Sequence, residues 1–112
     1  MSVTFYGLKS CDSCRAALKA LQAAGVRPDV RDVREDGVGE TVLRTALQAH
    51  GAERLVNRRS TTWRDLDEAS RQMDPVALIT LHPTLMKRPL IVSVDGRISI
   101  GWDDAARNLH GV

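Results

Sequence analysis

Val3-Thr4-Phe5-Tyr6-Gly7-Leu8-Lys9-Ser10-Cys11-Asp12-Ser13-Cys14-Arg15 opens the chain, and its reading decides the fold. β-Branched and aromatic residues at 3–6 give a short strand signal that Gly7 ends. A helical pattern then runs from about Asp12 to Ala24 and stops at Gly25. Cys14, Leu18 and Leu21 fall at i, i+4 and i+7, with Ala17 and Ala24 beside them, so one helix face is apolar and carries Cys14 toward the core. The chain therefore starts as strand, loop and helix, with a Cys-x-x-Cys at the helix entrance.

Outward from that segment, Asp29-Val30-Arg31-Asp32-Val33 after Pro28 reads as a second strand. A helical crossover between two strands implies that they pair in parallel. Residues 40–50 place Val42, Leu43, Ala46 and Leu47 at helical spacing, and Asp74-Pro75 starts another helix through Leu81, stopped by Pro83. Leu90-Ile91-Val92-Ser93-Val94 and Arg97-Ile98-Ser99-Ile100 flank Asp95-Gly96, a strong hairpin signal that predicts antiparallel pairing. Asp103 is placed to cap a last helix through Leu109. The order βαβ, helices, ββα fits a thioredoxin-like α/β sandwich. Its four-stranded mixed sheet would carry a helical insertion over about residues 38–84, in a single domain over residues 1–112.

Composition narrows the function classes. Of 112 residues, 43% are apolar and 27% charged, an ordinary globular balance that argues against disorder, fibre and membrane classes. No stretch approaches the roughly 20 apolar residues of a membrane span, and the N-terminal residues lack a signal-peptide pattern, so the expected location is cytoplasmic. A net charge of +2, with acidic and basic residues interleaved as in Arg31-Asp32-Val33-Arg34-Glu35-Asp36, gives no basic patch for direct nucleic-acid binding. Two cysteines are too few for a secreted disulfide scaffold, and no second Cys-x-x-Cys or Cys/His pair at zinc spacing accompanies them, so no metal site is expected. His50, His82 and His110 are far apart and read as surface or capping residues. Trp63 and Trp102 read as packing residues.

Cys11 stands just before a helix, where unpaired backbone N–H groups and the positive end of the helix dipole favour thiolate over thiol. It is the candidate nucleophile. Cys14 lies one turn further on and is either the resolving thiol, which would attack a mixed disulfide at Cys11, or a small apolar residue of the helix face. Lys9 and Arg15 bracket the pair and add positive charge.

Three ordered motifs extend the reading. Tyr6-Gly7-Leu8-Lys9-Ser10-Cys11, Asn57-Arg58-Arg59-Ser60-Thr61-Thr62-Trp63-Arg64 and Lys87-Arg88-Pro89-Leu90 together resemble the ArsC/Spx/YffB family of arsenate reductase-like proteins. The likeness covers nearly the whole chain and is closest to the YffB-like branch. It implies a reactive Cys11, anion-binding arginines at Arg15, Arg59 and Arg88, and a cis proline at Pro89. Guanidinium forks suit that role because they bind oxyanions or carboxylates by paired hydrogen bonds and stabilise a thiolate. Arg58 and Arg64 are left as surface or structural residues.

The resemblance also divides the functional choices. It implies a thiol-dependent reductase with no bound cofactor, using glutathione, with or without glutaredoxin, as reductant and glutathione, glutaredoxin or a protein disulfide as partner. Glutaredoxin-coupled arsenate reductases carry a histidine near the reactive cysteine and a further arginine late in the chain, where this sequence has Gly7 and Gly101. Those differences weaken arsenate as the substrate. The Cys-x-x-Cys-Arg run from Cys11 to Arg15 is similar to Spx-type regulators, which use the pair as a redox switch and bind RNA polymerase; this is the non-enzyme alternative.

Overall fold

The computed structural model describes residues 2–112; Met1, included in the expected domain span, lies outside the described residues. The chain runs β1 (Thr4–Gly7), α1 (Asp12–Ala23), β2 (Asp29–Asp32), α2 (Glu40–His50), α3 (Ala52–Leu55), α4 (Thr61–Arg64), α5 (Glu68–Arg71), α6 (Pro75–Leu81), a 3₁₀ turn (Pro83–Leu85), β3 (Leu90–Val92), β4 (Ile98–Ile100) and α7 (Asp104–Leu109). The sheet order is β2-β1-β3-β4. β1 pairs in parallel with β2, Thr4 opposite Asp29, while β1–β3 and β3–β4 are antiparallel, with Phe5 opposite Ile91 and Leu90 opposite Ile100. This is a thioredoxin-like sheet with helices packed against it.

Strand alternation divides the apolar residues between two cores, because successive side chains point to opposite faces of a sheet. Tyr6, Leu90, Ile98 and Ile100 join Leu43, Ala46, Leu55, Val76, Leu78 and Ile79 of the inserted helices. Phe5 and Ile91 join Cys14, Ala17 and Leu21 of α1. Cys11 packs against both clusters, so the candidate nucleophile sits where the two cores meet.

Local chemistry explains the boundaries. α1 ends in a Schellman pattern, with the Val26 N–H donating to the Leu21 carbonyl and the Gly25 N–H to that of Gln22, and Gly25 takes the required left-handed φ of 84°. Ala24 is the C-cap residue and is exposed, so the apolar face expected to include it ends at Leu21. Ser60, Asp67, Asp74 and Asp103 cap the helices that follow them through side-chain oxygens. The hairpin differs from the two-residue turn that Asp95-Gly96 suggests. Ser93 pairs with Arg97 across a three-residue loop in which Gly96 has φ 89°, so Val94 leaves the strand and is exposed.

The insertion is tied back to the sheet just before β3. An isolated bridge joins Val56 to Met86, the Asn57 N–H donates to Leu85, and the Lys87 N–H donates to Leu55. These bonds fix the segment that delivers Arg88 and Pro89 to the edge of β3. Among the described residues, no helix is long and apolar enough to cross a membrane.

Candidate functional site

Cys11 is the N-cap of α1, with φ −87° and ψ 121° and no side-chain cap hydrogen bond. A neutral thiol is a weak acceptor, so the capping position is incompletely used until the sulfur carries charge. Its backbone N–H donates to Leu8 and its carbonyl accepts from Arg15, which fixes the loop-to-helix junction. Cys14 occupies the N3 position, whose N–H is the one an N-cap side chain ordinarily receives.

Opposing influences act on the Cys11 thiol. Partial burial raises its pKa, while the Cys14 N–H, the Cys14 thiol and the guanidinium of Arg88 favour the thiolate, and the net result lies below the ordinary thiol value. Cys14 behaves in the opposite way. Burial pushes it up to about 12, the negative charge at Cys11 adds to that, and the Leu8 hydrogen bond and Arg88 only partly compensate. Both cysteines are unpaired, and Cys14 is only 3% exposed. One sulfur is thus poised to ionise and its neighbour is held protonated, a division of roles set by environment.

Arg88 has the site's most distinctive polar geometry. One terminal nitrogen donates to the carbonyls of Thr84, at 2.8 Å, and Met86, at 3.3 Å. Its Nε is buried with no hydrogen-bond partner, alone in this among the described residues. A buried orphan donor costs roughly 1–3 kcal/mol, so an anion at this position would recover a substantial part of that penalty. The Arg88–Pro89 peptide is cis and Pro89 is buried.

The other arginines are placed differently. Arg15 is exposed, paired with Asp12 and donating to the Lys9 carbonyl at 3.1 Å. It borders a cavity of about 400 Å³ between α1 and β2, which Gly7, Cys14 and Val30 also line. Arg59 is exposed ahead of α4; its N–H donates to Asn57 and its carbonyl accepts from Arg64. The structure therefore brings Arg88 to Cys11, leaves Arg15 on the flank beside Cys14, and leaves the Arg59 side chain without a hydrogen bond among the described residues. Arg58 and Arg71 each lie 5.5 Å from the Trp63 ring, and Arg71 also donates to the Trp63 carbonyl, so this cluster is structural. His50 contacts the Ile98 carbonyl and His110 the Ser99 hydroxyl, ties at β4 that involve neither cysteine.

Two close approaches were not legible as a pattern. A Cβ built on Gly7 would meet the Cys14 Sγ at 2.7 Å, and one on Gly101 would meet the Lys87 stem at 3.3 Å. The only sequence signal is a glycine where a strand meets a Cys-x-x-Cys helix, and it does not reveal which side chain fills the space. Among the described residues no group of three His, Cys, Asp or Glu side chains is arranged to hold a metal.

Comparison with known proteins follows the same lines. Residues 6–108 match the ArsC family model. An uncharacterized protein of Haemophilus influenzae is 39% identical over 106 residues, covering 91% of this chain and 92% of that protein. The global transcriptional regulator Spx of Bacillus subtilis is 26% identical, covering 91% of this chain and 81% of Spx. Among solved structures, a YFFB protein superposes with a TM-score of 0.87 at 30% identity, covering 97% of this chain and 98% of that one. An arsenate reductase (ArsC) related protein from Brucella melitensis gives 0.70 at 32% identity, covering 97% and 93%.

Proposed function

The chain belongs to the ArsC family, and from that premise we propose that it is a cytoplasmic thiol-dependent reductase in which the Cys11 thiolate is the nucleophile. The observation that carries this reading is the divided pair: Cys11 held below the ordinary thiol value at a helix N-cap, and Cys14 beside it pushed up to about 12. In a first step the Cys11 sulfur attacks one sulfur of a disulfide, a Cys11 mixed disulfide forms, and the other sulfur leaves as thiolate. In a second step Cys14 gives up its proton to the solvent and attacks the Cys11 sulfur. An intramolecular disulfide forms and the bound half leaves as thiolate. Two glutathione thiols, directly or through glutaredoxin, return the two electrons and become glutathione disulfide.

Arg88 supports this chemistry with its orphan Nε, which an anionic sulfur would satisfy. Arg59 and Arg15 complete the set as ligands for substrate carboxylates, and Pro89 shapes the wall beside Arg88. Arsenate is a less suited substrate. The position where arsenate reductases of the family carry histidine is Gly7, and a side chain there would enter the space of the Cys14 sulfur.

The test is reduction of a small mixed disulfide of glutathione, coupled to glutathione reductase, with native protein and Cys11→Ser. Turnover by the native protein that the variant lacks is expected; equal turnover by both would reject Cys11 as nucleophile. Arsenate with glutaredoxin, run in parallel, separates arsenate reductase proper from the broader reading.

The Cys-x-x-Cys-Arg run and the likeness to Spx favour one alternative, a redox-sensing regulator that binds RNA polymerase. Recovery of polymerase from cell extract by only one redox form of the protein, with no disulfide turnover, would establish that role instead.

A further inference from the structure

Gly7 is the last residue of β1 and pairs with Asp32 of β2. Six glycines of the chain hold positive φ values, and Gly7 is not among them. Its backbone therefore accepts any residue, and glycine weakens a strand because it adds entropy cost and packs nothing. What glycine provides here is space. A Cβ on Gly7 would lie 2.7 Å from the Cys14 Sγ, 3.3 Å from the Cys14 Cβ and 2.9 Å from a ring carbon of Phe5. The first distance is roughly 0.7 Å shorter than where ordinary contact begins. Neither neighbour retreats easily, since Phe5 and Cys14 are 2% and 3% exposed and share one core with Ala17, Leu21 and Ile91.

We propose that Gly7 is a positioning residue for the dithiol: its missing side chain forms the seat that holds the Cys14 sulfur against β1 and within reach of Cys11. The proposal rests on the reading of Cys11 as nucleophile and Cys14 as resolving thiol, and it names the residue that sets whether resolution occurs. The Cys14 backbone is fixed in the first turn of α1, where the Arg15 N–H donates to Cys11 at 3.0 Å. A methyl group at position 7 must therefore rotate the Cys14 thiol or lift that turn. Either movement alters the approach of one sulfur to the other. The hydrogen bonds that Cys14 offers to Cys11 weaken at the same time, so the effect reaches the nucleophile through its neighbour.

The test compares native protein with Gly7→Ala, Cys14→Ala and the double variant Gly7→Ala/Cys14→Ala. Oxidised glutathione loads Cys11, and intact mass follows loss of the adduct to the internal disulfide; iodoacetamide reports the thiolate character of Cys11 against pH. A sub-ångström misplacement of reacting groups slows a step by about tenfold to a hundredfold, and Gly7→Ala should slow resolution by that factor. Cys11 alkylation should also slow in Gly7→Ala relative to native, yet be the same in the double variant as in Cys14→Ala. Native-like resolution in Gly7→Ala would overturn the proposal, as would an equal loss of alkylation in both backgrounds, which would make Phe5 or the strand the affected partner. If Gly7→Ala does not fold, the double variant decides: recovered folding supports the Gly7–Cys14 seat, and continued failure refutes it. A native Cys11 that alkylates no faster than free cysteine would instead fail the underlying reading, whatever residue 7 does.

Discussion

Replacing Arg88 by methionine keeps most of the side-chain volume and removes the guanidinium. Two effects on stability oppose each other. The variant loses the hydrogen bonds to Thr84 and Met86, each worth about 0.5–1.5 kcal/mol, but it also removes the buried, unpartnered Nε, whose penalty is of similar size. Thermal stability should therefore change little. The effect on Cys11 is one-sided, because Arg88 both hydrogen-bonds and attracts its thiolate. A hydrogen bond to a charged group contributes about 1.5–3 kcal/mol, so losing it should raise the Cys11 pKa and move its alkylation profile toward higher pH. The assay is the pH profile of Cys11 alkylation, with the modified peptide identified by mass. A profile that does not move in a folded Arg88→Met protein would refute the assignment of Arg88 to the thiolate.

Further outcomes follow from other parts of the molecule. Cys14, raised from about 9 to about 12, binds its proton more tightly in the folded state than in the unfolded one, so its contribution to stability is lost as pH rises through that window, by about 1.4 kcal/mol per unit. Cys11 has the opposite sign, its pKa being lowered; its contribution is complete by the ordinary thiol value and is flat above it. Denaturant unfolding from about pH 9 upward should consequently show a steeper decline for native protein than for Cys14→Ala, and parallel declines would contradict the buried-thiol description. Asp103→Ala removes the cap on α7 and the partner of Arg54, at a cost of about 0.5–2 kcal/mol. It should lower the melting temperature while leaving Cys11 alkylation as in the native protein. Leu21→Ala opens a cavity where a side chain with no exposure stands and should cost about 2–5 kcal/mol by chemical denaturation.

Much of the fold is legible in the sequence because its signals are local. The β-branched, aromatic and apolar runs at residues 3–6 and 90–92, the apolar stripe through Cys14 and Leu21, and capping aspartates at 74 and 103 each act within a few residues. The short helices at 52–55, 61–64 and 68–71 carry too few turns to show a period; the first is held by the buried Leu55, the second by the Ser60 cap and Trp63 against the core, and the third by the Asp67 cap. The hairpin loop is one residue longer than the turn Asp95-Gly96 suggests, because that pair serves a two-residue turn and a three-residue loop equally well; pairing of Ser93 with Arg97 decides between them. At the site, a cysteine before a helix is a local signal. The approach of Arg88 to Cys11 and of Gly7 to Cys14 depends on how separate segments pack, and residue types alone do not encode it.

The central claim is that Cys11 and Cys14 act as an attacking and a resolving thiol. Its most direct test is the intact mass of native protein and Cys14→Ser after equilibration in glutathione buffers of graded redox poise. Loss of two hydrogens in the native protein and a single glutathione adduct in the variant are the expected results. A stable single adduct in both would contradict the claim, leaving Cys14 as a packed core residue and Cys11 dependent on an external thiol.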